Sequence, residues 1–599
     1  MPREYRSSVL AVQLISALDV GYTLLKMVNN IKFFISKRQY LFINLLLLVV
    51  CLGVGLQFET NDDVGMKILT EGFYGEPSNY IIFSNVIWGT IIATSYRICG
   101  GISWYSVYSI LVIFVSMCAI SYVIETNITK ELRVLVEYPI ILTLGFELYC
   151  SIQFTKTAAI ATTAGFLLLF DVLGHVNGQG GNVETKKNGL KRIVIALMLI
   201  VMGIMIRYRA FLVVFLFSII CAFDVVITQY KNKLIDILKI SMCYVVIIIL
   251  FLATNKIDSS YLNNHKEWKE YKEWYSAVSQ VVDFDIPAYW ETNYYEEHGI
   301  AVDDFYMVKG WYFGDPKFFT KEYLEVISDV KSVENKVNFG EFYEQFLEAL
   351  PGIFQSKCLG LLLYICMLYS LFFRKRFTDW LVYFGCFMAM VCSVIYFVYR
   401  GKNVNRVYVT VWIAALLIFL LKSVKEKSEY TSVGGTRKNT IIVVCVLGII
   451  LLPNIVKKID DVRKSDLKRA ELQKITLEIA NDKSNFYVND PGYNMFEVAW
   501  GGVFDTLPKG VAFDNVADLA GWLVNTPQWN KNLENYGVLG LFEGTADRNV
   551  IYVANESRIP SIIKFINDHY DPEATMVKTR DIIGTTGEYV VTNHKDVIE

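Results

Sequence analysis

The chain has 599 residues, of which 54% are hydrophobic, 14% aromatic and 19% charged. Soluble chains carry about 45–50% apolar and about 25% charged residues, so a soluble enzyme, a disordered chain and a collagen-like chain are excluded. With 57 basic against 59 acidic residues the net charge is −2, which carries no nucleic-acid signature.

Residues 1–38 lack the compact apolar core and small-residue cleavage site of a signal peptide. Within them, 8–25 is apolar but contains Gln13 and Asp19, and reads as an interfacial or cytoplasmic helix. Uncharged runs such as LFINLLLLVVCLGVGL (41–56) and IIVVCVLGIILL (441–452) follow. Crossing a bilayer takes about 20 apolar residues. The candidate segments are 40–57, 80–97, 104–124, 135–149, 157–173, 193–206, 210–228, 239–255, 352–373, 379–398, 407–421 and 440–456.

Lys and Arg in short loops stay on the cytoplasmic side. The basic loops carry Lys130 and Arg133; Lys186, Lys187, Lys191 and Arg192; Lys231, Lys233 and Lys239; Arg374, Lys375 and Arg376; and Lys422, Lys425, Lys427, Arg437 and Lys438. If every segment crossed, parity would put all of these outside. If 80–97 does not cross, all fall inside. That segment carries Ser84, Asn85, Thr90, Thr94 and Ser95, and reads as a juxtamembrane helix. The expected fold is an α-helical polytopic membrane protein with about eleven transmembrane helices. Its N-terminal segment 1–39 is cytoplasmic or interfacial, its membrane domain is 40–456, and its external loops are 58–103 and 257–350. The membrane is the cell (plasma) membrane.

Beyond 456 the pattern changes. A charged, helix-period stretch spans 459–481. NFYVND (485–490), NVIYVAN (549–555) and EYVVTN (588–593) read as strands, and IPSIIKFINDHY (559–570) as a helix. Residues 457–599 are thus expected to form a small α/β domain outside the cell.

The eleven cysteines all lie in or beside apolar segments and form no CxxC pair, so a disulfide framework or zinc site is not expected. The five histidines have no metal-ligand spacing. No phosphate-loop motif appears, and the cytoplasmic loops are too short for a nucleotide-binding domain. ATP-driven transport by this chain is excluded.

Residues that carry chemistry cluster at the external ends of the spans. Asp62 and Asp63 follow the first span in FETNDDVGMKI (58–68). A carboxylate shielded at a membrane surface can act as a general base. The pair could equally bind a divalent cation such as Mg or Mn, or simply mark the outside. Glu147 lies within an apolar run just before the external turn 146–157, and ionisable groups in spans are costly. Gln153, Thr155 and Lys156 can add hydrogen bonds there to an acceptor or sugar. Two external turns break the positive-inside rule: IRYRAF (206–211), with Arg207 and Arg209, and VYRGKNVNRVY (398–408), with Arg400, Lys402 and Arg406. Arginine grips phosphate through its planar fork, so these are candidates for an anionic lipid headgroup. Pairing with the acidic 257–350 loop is the alternative. In that loop, Trp311, Tyr312, Phe313, Phe318 and Phe319 fit a headgroup-level anchor better than a sugar-stacking surface.

This arrangement resembles the GT-C superfamily of polytopic glycosyltransferases, which includes oligosaccharyltransferase catalytic subunits, protein O-mannosyltransferases and lipid A aminoarabinose transferases. It also looks like GT-C-like membrane proteins of bacterial surface-polysaccharide loci. The resemblance rests on the acidic pair Asp62–Asp63, the 80–97 segment, the 146–157 turn, the 257–350 loop and the 457–599 domain. WWDYG, the oligosaccharyltransferase motif, is not present; the nearest run, WYFGD (311–315), lies in another region, which counts against a peptide acceptor. The resemblance implies a polyprenyl-phosphate-linked sugar as donor, an extracytoplasmic glycan or lipid as acceptor, and direct inverting displacement at the anomeric carbon. It assigns Asp63 or Asp62 as base, with Asp63 favoured because a carboxylate opening a helix is held rigidly. A lipid-linked glycan transporter or flippase, and an O-antigen-type polymerase, are the competing readings.

Overall fold

The computed structural model describes residues 38–175, 183–229, 233–284, 286–334, 339–372, 377–425, 436–490, 495–543 and 549–593. The 8–25 segment and Arg374, Lys375 and Arg376 lie outside the described residues.

The apolar runs fold into helices because a span must satisfy its backbone polar groups internally. The membrane bundle comprises Gln39–Val54, Trp104–Asn127, Lys130–Tyr149, Phe154–His175, Val183–Gln229, Lys233–Asn264, Lys357–Phe372, Phe377–Tyr399, Asn405–Lys425 and the first half of Thr436–Asn481. Six described helices are long and apolar enough to cross a membrane, or seven if a pair bent by 74° at Phe354 and Lys357 counts as one. The chain is a multi-pass membrane protein. The difference from about eleven expected spans has identifiable sources. Val183–Gln229 carries two expected spans and leaves helical geometry only at Arg207 (φ −157°, ψ 95°). Gln39–Val54 has 16 residues, and charged residues open Lys130–Tyr149.

The segment 80–97 forms only the 13-residue helix Val86–Ile98. At about 1.5 Å per residue it is too short to cross. It caps the break at Arg207 instead. The Ser84 hydroxyl donates to the Ile206 carbonyl and the Asn85 N–H to the Met205 carbonyl, each at 2.8 Å. Carbonyls freed from a broken helix need such donors.

Two buried ionic clusters tie the bundle together away from the Arg207 break. Lys422 bonds both Asp224 and Asp379, joining three helices. Asp171 accepts from Asn127 at 2.8 Å and Arg192 at 2.9 Å. None of the ten cysteines whose side chains are described forms a disulfide.

The helix Thr436–Asn481 runs unbroken from the expected last span into the charged stretch, so the two features read separately in sequence are one element. Gly55, at φ 110°, lies where an added Cβ would come within 2.8 Å of the Val462 methyls of that helix. Beyond it, five strands form a mixed sheet: β1 (Phe486–Asn489), β2 (Val516–Asp518), β3 (Val550–Asn555), β4 (Ala574–Ile583) and β5 (Thr586–Asn593), in the order β2-β1-β3-β5-β4. β1 runs parallel to β2 and β3, while β5 is antiparallel to β3 and β4. The helix Ile559–His569 packs on it as expected.

One hydrophobic core fills the bundle. A second is continuous through the 58–103 loop, the 257–350 loop and the sheet domain. Phe73 stacks on Phe513 at 4.1 Å between ring centres, and the Lys67 ammonium donates to the Trp500 carbonyl at 3.1 Å. Phe313 and Phe319 are wholly buried in this core. They therefore do not serve as the headgroup-level anchor expected of them; they join the loop to the sheet domain.

Candidate active site

Between the bundle and the sheet domain lies a cavity of about 580 Å³. Of the sequence-predicted residues, Asp62, Thr155, Arg207, Arg209, Trp311, Tyr312, Lys402 and Arg406 line it. Elements far apart in sequence deliver them. Asn61 and Asp62 open the short helix Asn61–Glu71. Its entry strand is fixed by pairing with the 146–157 turn, Glu59 N–H to the Ile152 carbonyl at 2.9 Å and Ile152 N–H to the Gln57 carbonyl at 2.8 Å. The first loop and the 146–157 turn are thus one unit, which also presents Phe154 and Thr155 to the cavity.

The adjacent aspartates part company on that helix. Asp62 faces the cavity and pairs with Arg406 at 3.4 Å. Asp63 is fully buried behind it, where its Oδ1 accepts from the Tyr105 hydroxyl at 2.8 Å and the Phe154 N–H at 3.0 Å. Burial raises the Asp62 carboxyl above its ordinary value, and Arg406 and Arg207 pull it back. Burial pushes Asp63 up to about 8, against the hydrogen bond from Tyr105. The preference for Asp63 as the residue at the reacting face does not follow from this geometry; the exposed edge belongs to Asp62. The two carboxylates address different neighbours. Among the described residues no group of three His, Cys, Asp or Glu side chains gathers as a metal site.

Arg207 sits at the helix break, its guanidinium over the rings of Phe154 at 5.1 Å and Phe83 at 5.5 Å, with Nη1 donating to the Phe83 carbonyl at 3.0 Å. The aromatic faces hold the cation in place without neutralising it. Arg209 follows at the cavity rim. The second basic turn divides. Lys402 and Arg406 line the cavity, whereas Arg400 lies over the Phe284 ring at 4.5 Å, outside the lining. Lys402 pairs with Asp283 of the acidic loop at 3.1 Å.

Trp311 closes the helix Val302–Lys309 in the left-handed region, at φ 69°. Its N–H bonds the Val308 carbonyl at 2.9 Å and the next N–H, of Tyr312, bonds the Met307 carbonyl at 3.0 Å. Glycine usually takes this helix-end position, and a bulky residue there costs about 1–2 kcal/mol. Gly310 is one residue too early to relieve it. The sheet domain then fixes the turn, with Gly521 N–H on the Trp311 carbonyl at 3.0 Å.

Glu147, Gln153 and Lys156 do not line the cavity. The Lys156 ammonium is fully buried between Glu59 at 2.6 Å and Glu147 at 2.8 Å. The Gln153 Oε1 caps its helix, accepting from the N–H groups of Thr155 at 2.7 Å and Lys156 at 3.0 Å. These residues brace the turn that carries Phe154.

The cavity also contains residues that the sequence reading did not single out: Asp283, Trp522 and Arg558. Trp522 reaches down to the first-loop helix, where an added Cβ on Gly65 would come within 2.5 Å of its ring. Arg558 projects from the turn after β3, over the Tyr312 ring at 5.6 Å. An arginine in a polar domain carries no sequence signal of its own.

No protein-family model matches the chain, and neither does any curated protein. Among solved structures it is similar to the crystal structure of ArnT from Cupriavidus metallidurans bound to undecaprenyl phosphate, at 9% identity and TM-score 0.41, covering 92% of this chain and 97% of that one. The apo crystal structure of the same protein gives 8% identity and TM-score 0.42 with the same coverage.

Proposed function

We propose that the chain is a membrane glycosyltransferase of GT-C type, moving a sugar from a polyprenyl-phosphate donor to an extracytoplasmic glycan or lipid acceptor with inversion. The supporting observation is that the Asp62 carboxylate and the guanidinium groups of Arg207, Arg209 and Arg406 line one cavity at the end of the bundle. Displacement at an anomeric carbon creates positive charge on the sugar and negative charge on the departing phosphate. A carboxylate on one side and arginines on the other stabilise that distribution.

In this reading Asp62 takes the proton of the acceptor hydroxyl as the oxygen attacks the anomeric carbon. The bond to the phosphate oxygen breaks, and its electron pair leaves on the phosphate held by the arginines. The Asp62–Arg406 ion pair opens when the phosphate takes over the guanidinium. Trp311 supplies a flat face for the sugar. The membrane domain 40–456 brings the lipid to the cavity, and the 457–599 domain roofs it on the extracytoplasmic side.

The test is Asp62→Asn in cells that depend on the protein for a surface glycan. Loss of a general base lowers the rate about 10²- to 10⁴-fold. The glycan should disappear and the polyprenyl-linked intermediate accumulate, with protein level unchanged. Undiminished glycan would remove the transferase reading and favour transport.

A further inference from the structure

The cavity holds more positive charge than a single phosphate requires. Among the described residues its cations are Arg207, Arg209, Lys402, Arg406 and Arg558, and its carboxylates are Asp62 and Asp283. Asp62 is paired with Arg406 at 3.4 Å and Asp283 with Lys402 at 3.1 Å. Among the described residues no carboxylate lies within ion-pair distance of the remaining three, Arg207, Arg209 and Arg558. They also stand on different walls. Arg207 and Arg209 belong to the helix break on the bundle side, and Arg558 to the sheet domain that roofs the cavity.

From these charges we infer that the lipid headgroup taken by this cavity is a diphosphate rather than a monophosphate. The inference rests on the transferase reading above and specifies its donor. A sugar on a polyprenyl monophosphate is a diester with one negative charge, and it departs as a monoester with about −1.5 to −2. A sugar on a polyprenyl diphosphate departs with about one charge more. The five cations exceed the two carboxylates by three, whichever partner Arg406 faces, and that excess balances the diphosphate. The bond cleaved joins the anomeric carbon to the oxygen of the nearer phosphate. The electron pair goes to that oxygen, the acceptor oxygen forms the new bond, and its proton passes to Asp62. The far phosphate stays on the prenyl chain throughout and keeps its charge. Contacts from two walls suit a headgroup with two phosphorus centres, since each guanidinium fork can grip its own pair of oxygens.

The full-length protein in nanodiscs of phosphatidylcholine would be titrated with undecaprenyl diphosphate and, separately, with undecaprenyl monophosphate, and bound lipid read by native mass spectrometry. The diphosphate should bind at least about tenfold tighter, the return expected from one added charged hydrogen-bond set. Arg558→Gln and Arg209→Gln, each checked for an unchanged melting temperature, should bring the ratio to within about threefold. Equal binding of the two lipids by the wild type, or a ratio untouched in both variants, overturns the diphosphate assignment and leaves the transferase reading standing. Binding of neither lipid overturns both.

Discussion

The Asp62 carboxylate and the Arg406 guanidinium lie 3.4 Å apart, the proposed base against the proposed phosphate clamp. Burial raises the Asp62 carboxyl, and Arg406 is the first of the cations that lower it. Removing that cation raises the carboxyl further. A base works only when deprotonated, so the acid limb of the pH–rate profile should move to higher pH in Arg406→Gln. Transfer measured across pH 5–9 should show the largest loss at the acid end. An unshifted limb would separate Arg406 from the base.

Asp63 gives a different pH signature. Its carboxyl is raised by burial from 3.8 to about 8, so the folded chain holds a proton that the unfolded chain has released. The folded state binds more protons between those values, and stability therefore falls as pH rises from about 4 toward 8. Asn has the same shape and its amide oxygen can accept from Tyr105 and Phe154. Asp63→Asn should melt higher than the wild type at pH 8, with the gap shrinking toward pH 5, and should retain transfer. A loss of transfer matching that of Asp62→Asn would return the base to Asp63.

What the sequence disclosed follows from the kind of signal each residue carries. The spans were legible because uncharged runs have few other uses. β1, β3 and β5 were legible from their apolar content. β2, three residues long, was too short to read, and β4 carries Lys578, Arg580 and Asp581 with much of its length exposed. Arg207, Arg209 and Arg406 stood out because basic residues at external turns defy the orientation rule. Arg558 did not, being one exposed arginine in a polar domain. Which of Asp62 and Asp63 faces the cavity turned on helix phase, which Tyr105 and Phe154 set from distant parts of the chain. The aromatic run 311–319 was ambiguous by composition. Only the apposition of the sheet domain shows that Trp311 lines the cavity while Phe313 and Phe319 are core.

Glu147 was conspicuous as an acid in an apolar run, and the structure supplies its partner, Lys156. Lys156→Met would leave Glu59 and Glu147 facing each other without their cation. Breaking a buried pair costs about 3–5 kcal/mol, and the partial exposure of both carboxylates places this one near the lower figure. Glu147→Gln leaves the Lys156–Glu59 pair at 2.6 Å intact and should cost less. Melting temperatures should rank wild type, Glu147→Gln, then Lys156→Met. Transfer per folded molecule should be unchanged in Glu147→Gln; a large specific loss would make Glu147 part of the chemistry.

The orientation is open to direct measurement. Phe154 and Thr155 line the cavity, and Asp171, paired with Arg192, lies toward the other end of the same helix. At about 1.5 Å per residue that is roughly 24 Å away, close to the thickness of the hydrocarbon core. The basic end marked by Arg133, Arg192 and Lys239 should therefore be cytoplasmic and the cavity external. Cysteines would be introduced at exposed Thr129, Lys191, Glu297 and Lys531 in a chain whose exposed Cys99 and Cys392 are replaced by Ser. In intact cells a membrane-impermeant thiol reagent should label positions 297 and 531 and leave 129 and 191 unlabelled until the cells are permeabilised. Labelling at 191 in intact cells would put the cavity on the cytoplasmic face, where an extracytoplasmic acceptor could not reach Asp62.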